Sequence, residues 1–311
     1  MLMQMWNEKR YYSLDYYLRQ TYGEKLYKLS LNGGMTCPNR DGTLGERGCI
    51  FCSAGGSGDF ASSAGLSIAE QLADAKARVG RKYKGHAYIA YFQAYTNTYA
   101  PISYLKNMFM EALADPEVKI LSIATRPDCL GPEVLKLLAR LVKIKPVWIE
   151  LGLQTMHEDT AVLIKRGYDL ATFESALSFL HALDIPVIVH TILGLPGEDE
   201  QQMLATIDYL SRQNIQGIKF QLLHILRGTE LAAIYQEHPF RIPTLDEYTA
   251  LLCNCIAALS PDIVIHRLTG DGPKELLIAP EWTSDKRKVL NHITKHLISL
   301  DIWQGKRYTE Y

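Results

Sequence analysis

Short apolar runs rich in Val, Ile and aromatic residues alternate along this chain with longer stretches of helical period. The runs fall at 26–31, 87–93, 120–125, 147–151, 186–192 and 217–223, with a later one at 263–268. Helical patterns between them cover 68–79, 102–114, 132–142, 173–183 and 201–212. A strand–helix alternation repeated in this way predicts parallel βαβ units. Nearly all-apolar strands suit a sheet covered on both faces. Such a chain can close into a barrel, stop at a partial barrel, or form an open doubly wound sheet. Polar or Gly-containing motifs follow nearly every run: Asn32-Gly33-Gly34, Gln93 to Asn97, Thr125 to Asp128, Gly152-Leu153-Gln154, Gly194 to Gly197, and His224. Chemistry at the ends of many strands is how a (β/α) barrel builds its site, whereas an open sheet concentrates it at one switch point.

The rhythm breaks at about Glu230. An apolar helix over 245–259, the run at 263–268, a Thr269-Gly270-Asp271-Gly272-Pro273 loop and a mixed-charge helix follow. The expected organisation is an N-terminal segment (1–15), a core barrel (16–230) and a C-terminal extension completing or covering it (231–311).

Composition excludes more than it identifies. The 311 residues carry 33 Lys+Arg against 34 Asp+Glu, with 47% hydrophobic and 22% charged residues, a globular profile. No stretch approaches the ~18–20 apolar residues of a membrane span. The first twelve residues hold Asn7, Glu8, Lys9 and Arg10 where a signal peptide needs an apolar run, so a cytoplasmic location with no membrane partner is expected.

Three of the six cysteines, Cys37, Cys49 and Cys52, fall in one stretch, while Cys129, Cys253 and Cys255 sit in apolar contexts. In a cytosolic chain such a cluster reads as metal binding or catalysis rather than disulfides. Two centres fit the spacing. Zinc needs a fourth ligand, and the nearest candidate, His86, lies beyond a helix. An iron–sulfur cluster on three cysteines would leave one iron open to a small molecule.

Three motifs stand together with the cysteine stretch, Cys37-Pro38-Asn39-Arg40 leading to Gly48-Cys49-Ile50-Phe51-Cys52: Thr125-Arg126-Pro127-Asp128, Glu150-Leu151-Gly152-Leu153-Gln154, and Gly194-Leu195-Pro196-Gly197-Glu198. Together they resemble the radical SAM superfamily. The eleven residues between Cys37 and Cys49 are similar to its YhcC-like branch, related to the catalytic subunit of the tRNA-modifying elongator. The resemblance runs from about Tyr16 to Pro273. It implies a partial (β/α)6 TIM-like barrel with a C-terminal extension and a [4Fe-4S] cluster on Cys37, Cys49 and Cys52. It also implies S-adenosylmethionine (SAM) chelated to the open iron and cleaved to a 5′-deoxyadenosyl radical, with electrons from an external donor such as flavodoxin or ferredoxin.

The same resemblance implies cofactor-binding roles for Gln93, Arg126, Glu150, Gln154, Arg166 and His190. Gln154 is expected on the ribose and Arg166, twelve residues on, on the methionine carboxylate. Arg126 is expected either on the cofactor carboxylate or as an anchor for Asp128. Ala124 stands where relatives often carry a carboxylate, and the Gln93–Thr98 loop lacks the usual glycines. His190 is either a satisfied core residue or a contact to ribose or substrate. Lys219, Gln221, His224, Arg227 and the stretch from His266 to Asp271 are left as a substrate-facing ring.

The branch implies tRNA as substrate and wobble-uridine modification, carboxymethylaminomethyl-uridine to aminomethyl-uridine. Basic residues at 76–84 and 286–288 offer surfaces for phosphates. The alternatives are a small-molecule or protein substrate, or a non-catalytic zinc-stabilised RNA-binding module.

Overall fold

The computed structural model describes residues 5–56 and 58–309. Seven parallel strands form one sheet in the order β1 (Tyr27–Leu31), β2 (Tyr88–Phe92), β3 (Val118–Thr125), β4 (Val147–Gln154), β5 (Val187–Leu193), β6 (Gly217–Leu222), then β8 (Val264–Arg267). The short β7 (Ile225–Leu226) pairs antiparallel with β9 (Leu277–Ala279) beside this sheet. Sequential parallel neighbours require crossovers, and helices supply them: α2 (Ile68–Val79), α3 (Ile102–Ala114), α4 (Pro132–Leu141), α5 (Glu158–Leu163), α6 (Leu170–His181) and α7 (Glu200–Ser211). Before the sheet lies α1 (Leu14–Tyr22), and around β8 lie α8 (Glu230–Glu237), α9 (Leu245–Ala258) and α10 (Lys286–Ser299). No described helix is long and apolar enough to cross a membrane.

Burial explains the strands. All five residues of β2 are buried, as are seven of the eight in β3, because helices cover one face and the barrel interior the other. The main core joins outward strand residues such as Leu121, Ile149, Val189 and Ile218 to the helices. A smaller apolar plug of Leu18, Leu26, Ile89, Trp148 and Ile188 includes residues from the beginnings of β2, β4 and β5.

The sheet is curled into an incomplete barrel. Glu150 on β4 touches Lys28 on β1 and Lys219 on β6 at once. In a flat sheet β1 and β4 would stand ~14 Å apart, three strand spacings, beyond such reach. The tail supplies the seventh strand, with β8 parallel to β6. At this edge Ser13 bridges Ile265, so the segment before α1 continues the sheet's closure.

Candidate active site

The loops at the carboxyl ends of the strands surround one cavity of about 560 Å³. The loop after β1 brings Cys37, Cys49 and Cys52 to its wall. Two turns hold them: the Arg40 amide donates to the Cys37 carbonyl at 2.8 Å, and the Cys52 amide to that of Cys49 at 3.0 Å. Asn39, buried between the turns, donates through Nδ2 to the carbonyls of Lys165 (2.8 Å) and Arg166 (3.1 Å). Gly167, with φ at 83°, leaves room for it, since a Cβ there would lie 2.6 Å from Asn39 Oδ1.

Donors surround the sulfurs. Asn39 Nδ2 lies 3.5 Å from Cys49 Sγ, Arg126 Nη1 lies 3.8 Å from Cys37 Sγ, and Arg40 Nη2 donates to the carbonyls of Cys52 (2.9 Å) and Ser53 (2.7 Å). Burial pushes the Cys49 thiol up to about 12, with Cys52 adding to the rise and Arg126 opposing it. A centre that binds these groups therefore displaces their protons and takes up donors already aimed at thiolates. That donor set fits an iron–sulfur cluster.

It fits a single zinc poorly. Among the described residues, the group of three potential ligands whose atoms fall within 4.8 Å of one another is Asp246, His292 and His296, on α9 and α10. The three cysteines are not in that group, and a structural zinc would call for a fourth ligand beside them. His86, the fourth ligand a zinc site would need, pairs with Glu117 at 2.9 Å and its side chain is 81% exposed. It precedes β2, at the opposite end of the strand from the cysteine loop.

Below the cysteines lies a buried polar network. Glu150 Oε1 accepts from Lys28 Nζ (2.5 Å) and Ser122 Oγ (2.9 Å), while Oε2 meets His190 Nε2 at 2.8 Å and pairs with Lys219. Burial alone would raise the Glu150 carboxyl, yet Lys219, Lys28 and His190 hold it well below the carboxylate range. Burial, then Lys219, pushes His190 down to about 4, so its ring is neutral at pH 7 and donates to the carboxylate. Tyr91 closes the group with its hydroxyl 3.2 Å from Lys219 Nζ. Both carboxylate oxygens of Glu150 are thus committed within the protein.

The two arginines are committed as well. Arg126 grips Asp128 through Nε (2.9 Å) and Nη2 (2.7 Å) and donates to the Arg166 carbonyl at 3.0 Å. Of its two expected roles, this geometry is the anchor for Asp128. Arg166 is 1% exposed; its Nη1 donates to the carbonyls of Leu153 (3.0 Å) and Thr155 (2.6 Å), and its Nε to that of Tyr168 (2.8 Å). Its remaining nitrogen faces Glu158 at 3.3 Å. A cofactor carboxylate at Arg166 would have to displace Glu158 or these carbonyls. Gln154, at φ 65° where β4 bulges, lines the cavity and accepts from the Tyr168 hydroxyl at 3.1 Å. Gln93 also lines it.

The loop after β2 is knit to β3 without glycine. Asn97 Nδ2 donates to the carbonyls of Phe92 and Ala124, and Thr98 Oγ1 lies 2.5 Å from Thr125 Oγ1. Of the substrate-facing ring, Lys219, Gln221, His224, His266, Arg267, Gly270 and Asp271 line the cavity, whereas Arg227 is exposed outside it. Tyr168, Tyr91, Lys28 and Ser122 carry functional geometry without a sequence signal, and Asn39, although it stands in the cysteine motif, has its role as a link to Lys165 and Arg166 set only by the fold.

The two basic stretches part company. Residues 76–84 lead into the beginning of β2, the end of the barrel away from the cavity. There Lys76 pairs with Asp115 and Glu117, Arg78 with Asp74, and the Tyr83 hydroxyl donates to the Lys25 carbonyl. Lys286, in contrast, lies at the cavity rim, with Arg287 and Lys288 exposed beside it. Phe60, also on that rim, is 52% exposed.

Comparison with known proteins places these features. The family model for the radical SAM superfamily matches residues 41–210, and that for the Radical_SAM C-terminal domain matches 215–299. The chain is 44% identical over 299 residues to YtqA of Bacillus subtilis, covering 96% of this chain and 93% of that protein. It is 36% identical over 281 residues to YhcC of Escherichia coli K12, covering 90% of each. A tRNA uridine(34) acetyltransferase of Dehalococcoides mccartyi is 26% identical over 166 residues, covering 51% of this chain and 35% of that one. In fold, the chain is similar to the archaeal Elp3 of Methanocaldococcus infernus with TM-score 0.68 at 14% identity, covering 90% of this chain and 64% of that chain.

Proposed function

Because the chain belongs to the radical SAM superfamily, with YhcC-like homologues over nearly its whole length, we propose that it modifies a wobble uridine of tRNA, converting carboxymethylaminomethyl-uridine to aminomethyl-uridine. Family membership implies SAM and a [4Fe-4S] cluster, which together supply a 5′-deoxyadenosyl radical able to take a hydrogen atom from an unactivated carbon. The observation that carries the reading is the three-thiol loop opening on a cavity wide enough for a second molecule. Cys37, Cys49 and Cys52 would hold the cluster, steadied by Asn39, Arg40 and Arg126. Gln93, Gln154 and His190 would line the cofactor's side of the cavity. Arg126, Arg166 and Glu150 would act through the loops and side chains they position.

The tRNA reading is supported by the uridine(34) enzyme among the relatives and by the cavity rim. An exposed Phe60 can stack an unstacked base, and Lys286, Arg287 and Lys288 can meet its flanking phosphates. An external reductant such as flavodoxin or ferredoxin would deliver the electron.

Anaerobic reconstitution with iron and sulfide, followed by dithionite reduction, tests the chemistry. Wild-type protein should bind about four irons per chain and release 5′-deoxyadenosine from SAM, and Cys49→Ala should lose both. A colourless protein holding one zinc overturns the reading. Nucleoside mass spectrometry of tRNA from a deletion strain tests the substrate: carboxymethylaminomethyl-uridine should accumulate, and unchanged wobble uridines would remove tRNA from the proposal.

A further inference from the structure

Charge does not balance inside the cavity. Lys28, Lys219 and Arg267 all line it, and Lys28 and Lys219 share the one carboxylate of Glu150. The side chain of Arg267, at the end of β8, has no ion pair or hydrogen bond among the described residues, and its Nε is buried without a partner. The other carboxylate at this end, Asp271, is paired with Lys286. Next to Arg267 stands His224, whose Nε2 is likewise buried and unpartnered. Burial, then the charge of Arg267, pushes the His224 ring down to about 4, so it adds no charge at pH 7 and is free to donate or accept. The loop that follows fixes this ring, because a Cβ on Gly270 would lie 2.9 Å from its Cε1. Even Lys219 registers the excess: burial, together with Lys28 and Arg267, pulls it well below an ordinary lysine. An unpaired guanidinium in such surroundings is costly unless something anionic arrives.

We propose that Arg267 and His224 form a subsite for a carboxylate carried by the substrate, above the positive pair Lys28 and Lys219. The proposal rests on the wobble-uridine reading and names the part of the modified base that is recognised: the carboxymethyl arm. A planar guanidinium fork suits a carboxylate bidentately. A backbone phosphate would be met at the rim by the exposed Lys286 to Lys288 stretch, whereas an interior subsite takes a group attached to an inserted base. The cofactor also has a carboxylate, so SAM affinity is measured beside RNA affinity. The subsite thus discriminates substrate, which bears the carboxylate, from product, which lacks it.

The test uses anaerobically reconstituted holoenzyme and two anticodon stem-loops, one with carboxymethylaminomethyl-uridine and one with aminomethyl-uridine. Wild type should bind the first about tenfold more tightly, the effect of one charge-assisted pair; Arg267→Gln should erase the difference and Arg267→Lys keep part of it. Discrimination that survives in Arg267→Gln overturns the proposal. So does a loss of SAM affinity in its place, which would assign Arg267 to the cofactor. Ligand-observed NMR with N-methylglycine, the arm without the nucleoside, separates this proposal from the reading beneath it. If wild type does not distinguish the two RNAs, the tRNA reading fails. Binding of N-methylglycine to wild type but not to Arg267→Gln then still supports the subsite, and equal binding to both overturns it.

Discussion

Glu150 shows what a buried charge demands of its neighbours. Its side chain is wholly buried and its two oxygens meet Lys28, Ser122, His190 and Lys219, from four different strands. Removing the charge as Glu150→Gln leaves two lysines facing each other without a counter-ion. The expected cost is about 3–5 kcal/mol of unfolding free energy, read by denaturant titration of the apo-protein. The double variant Glu150→Gln with Lys219→Met should recover part of that loss, because it removes one of the stranded charges. Additive losses would show that Glu150 and Lys219 are not coupled. The sequence singled out Glu150 from its motif and the cysteines from their spacing, since both signals are local. It could not show that Arg166 would be taken up by the carbonyls of Leu153, Thr155 and Tyr168, nor that Glu150 would be surrounded by cations. Those partners meet only when the sheet curls.

Strands were legible because the physics behind them is simple: a strand covered on both faces is a largely apolar run, and β2 through β6 read as such apart from the polar residues they carry, such as Ser122, Glu150, His190 and Lys219. The elements that escaped notice carry weak periodic signals. In α1 the tyrosines obscure the apolar stripe, although Ser13 caps its start and Gly23 its end. The helix α5 has six residues, and β7 and β9 have two and three. The cysteine loop is held by contacts no pattern announces. The Tyr95 amide donates to the Gly56 carbonyl at 2.8 Å and its hydroxyl bonds the Ala54 carbonyl, laying the ring against Gly56. Gly56 sits at φ 57°, and a Cβ there would lie 2.2 Å from the Tyr95 ring. Gly56→Ala should therefore push the loop off β2, lowering stability by about 1–3 kcal/mol. Iron retained after reconstitution should fall with it. Full iron content at unchanged melting temperature would show that the loop absorbs the methyl group.

At the scale of the whole molecule, the barrel's open edge is secured by both ends of the chain. The Ile265 amide of β8 donates to the Tyr12 carbonyl at 2.7 Å, and Arg10 pairs with Asp301. Between them Gln304, 1% exposed, donates through Nε2 to the carbonyls of Ser260 (2.6 Å) and Ile263 (2.8 Å) while its Oε1 accepts the Tyr12 amide (2.8 Å). One side chain thus ties residues before α1 to the turn that launches β8. Nothing in the tail's composition marked it, because its three partners are backbone groups far away in sequence. Gln304→Ala strands those groups in the interior and should cost about 2–4 kcal/mol. The loss should be local in its first effect: amide exchange should rise at 264–267 well before it rises in β3 and β4, which lie in the middle of the sheet. Since β8 places His266 and Arg267 on the cavity wall, the same variant should weaken recognition of the carboxylate-bearing RNA more than it weakens iron binding by the loop after β1. Uniform exchange across all seven strands would instead mean that the edge and the centre of the barrel unfold as one unit.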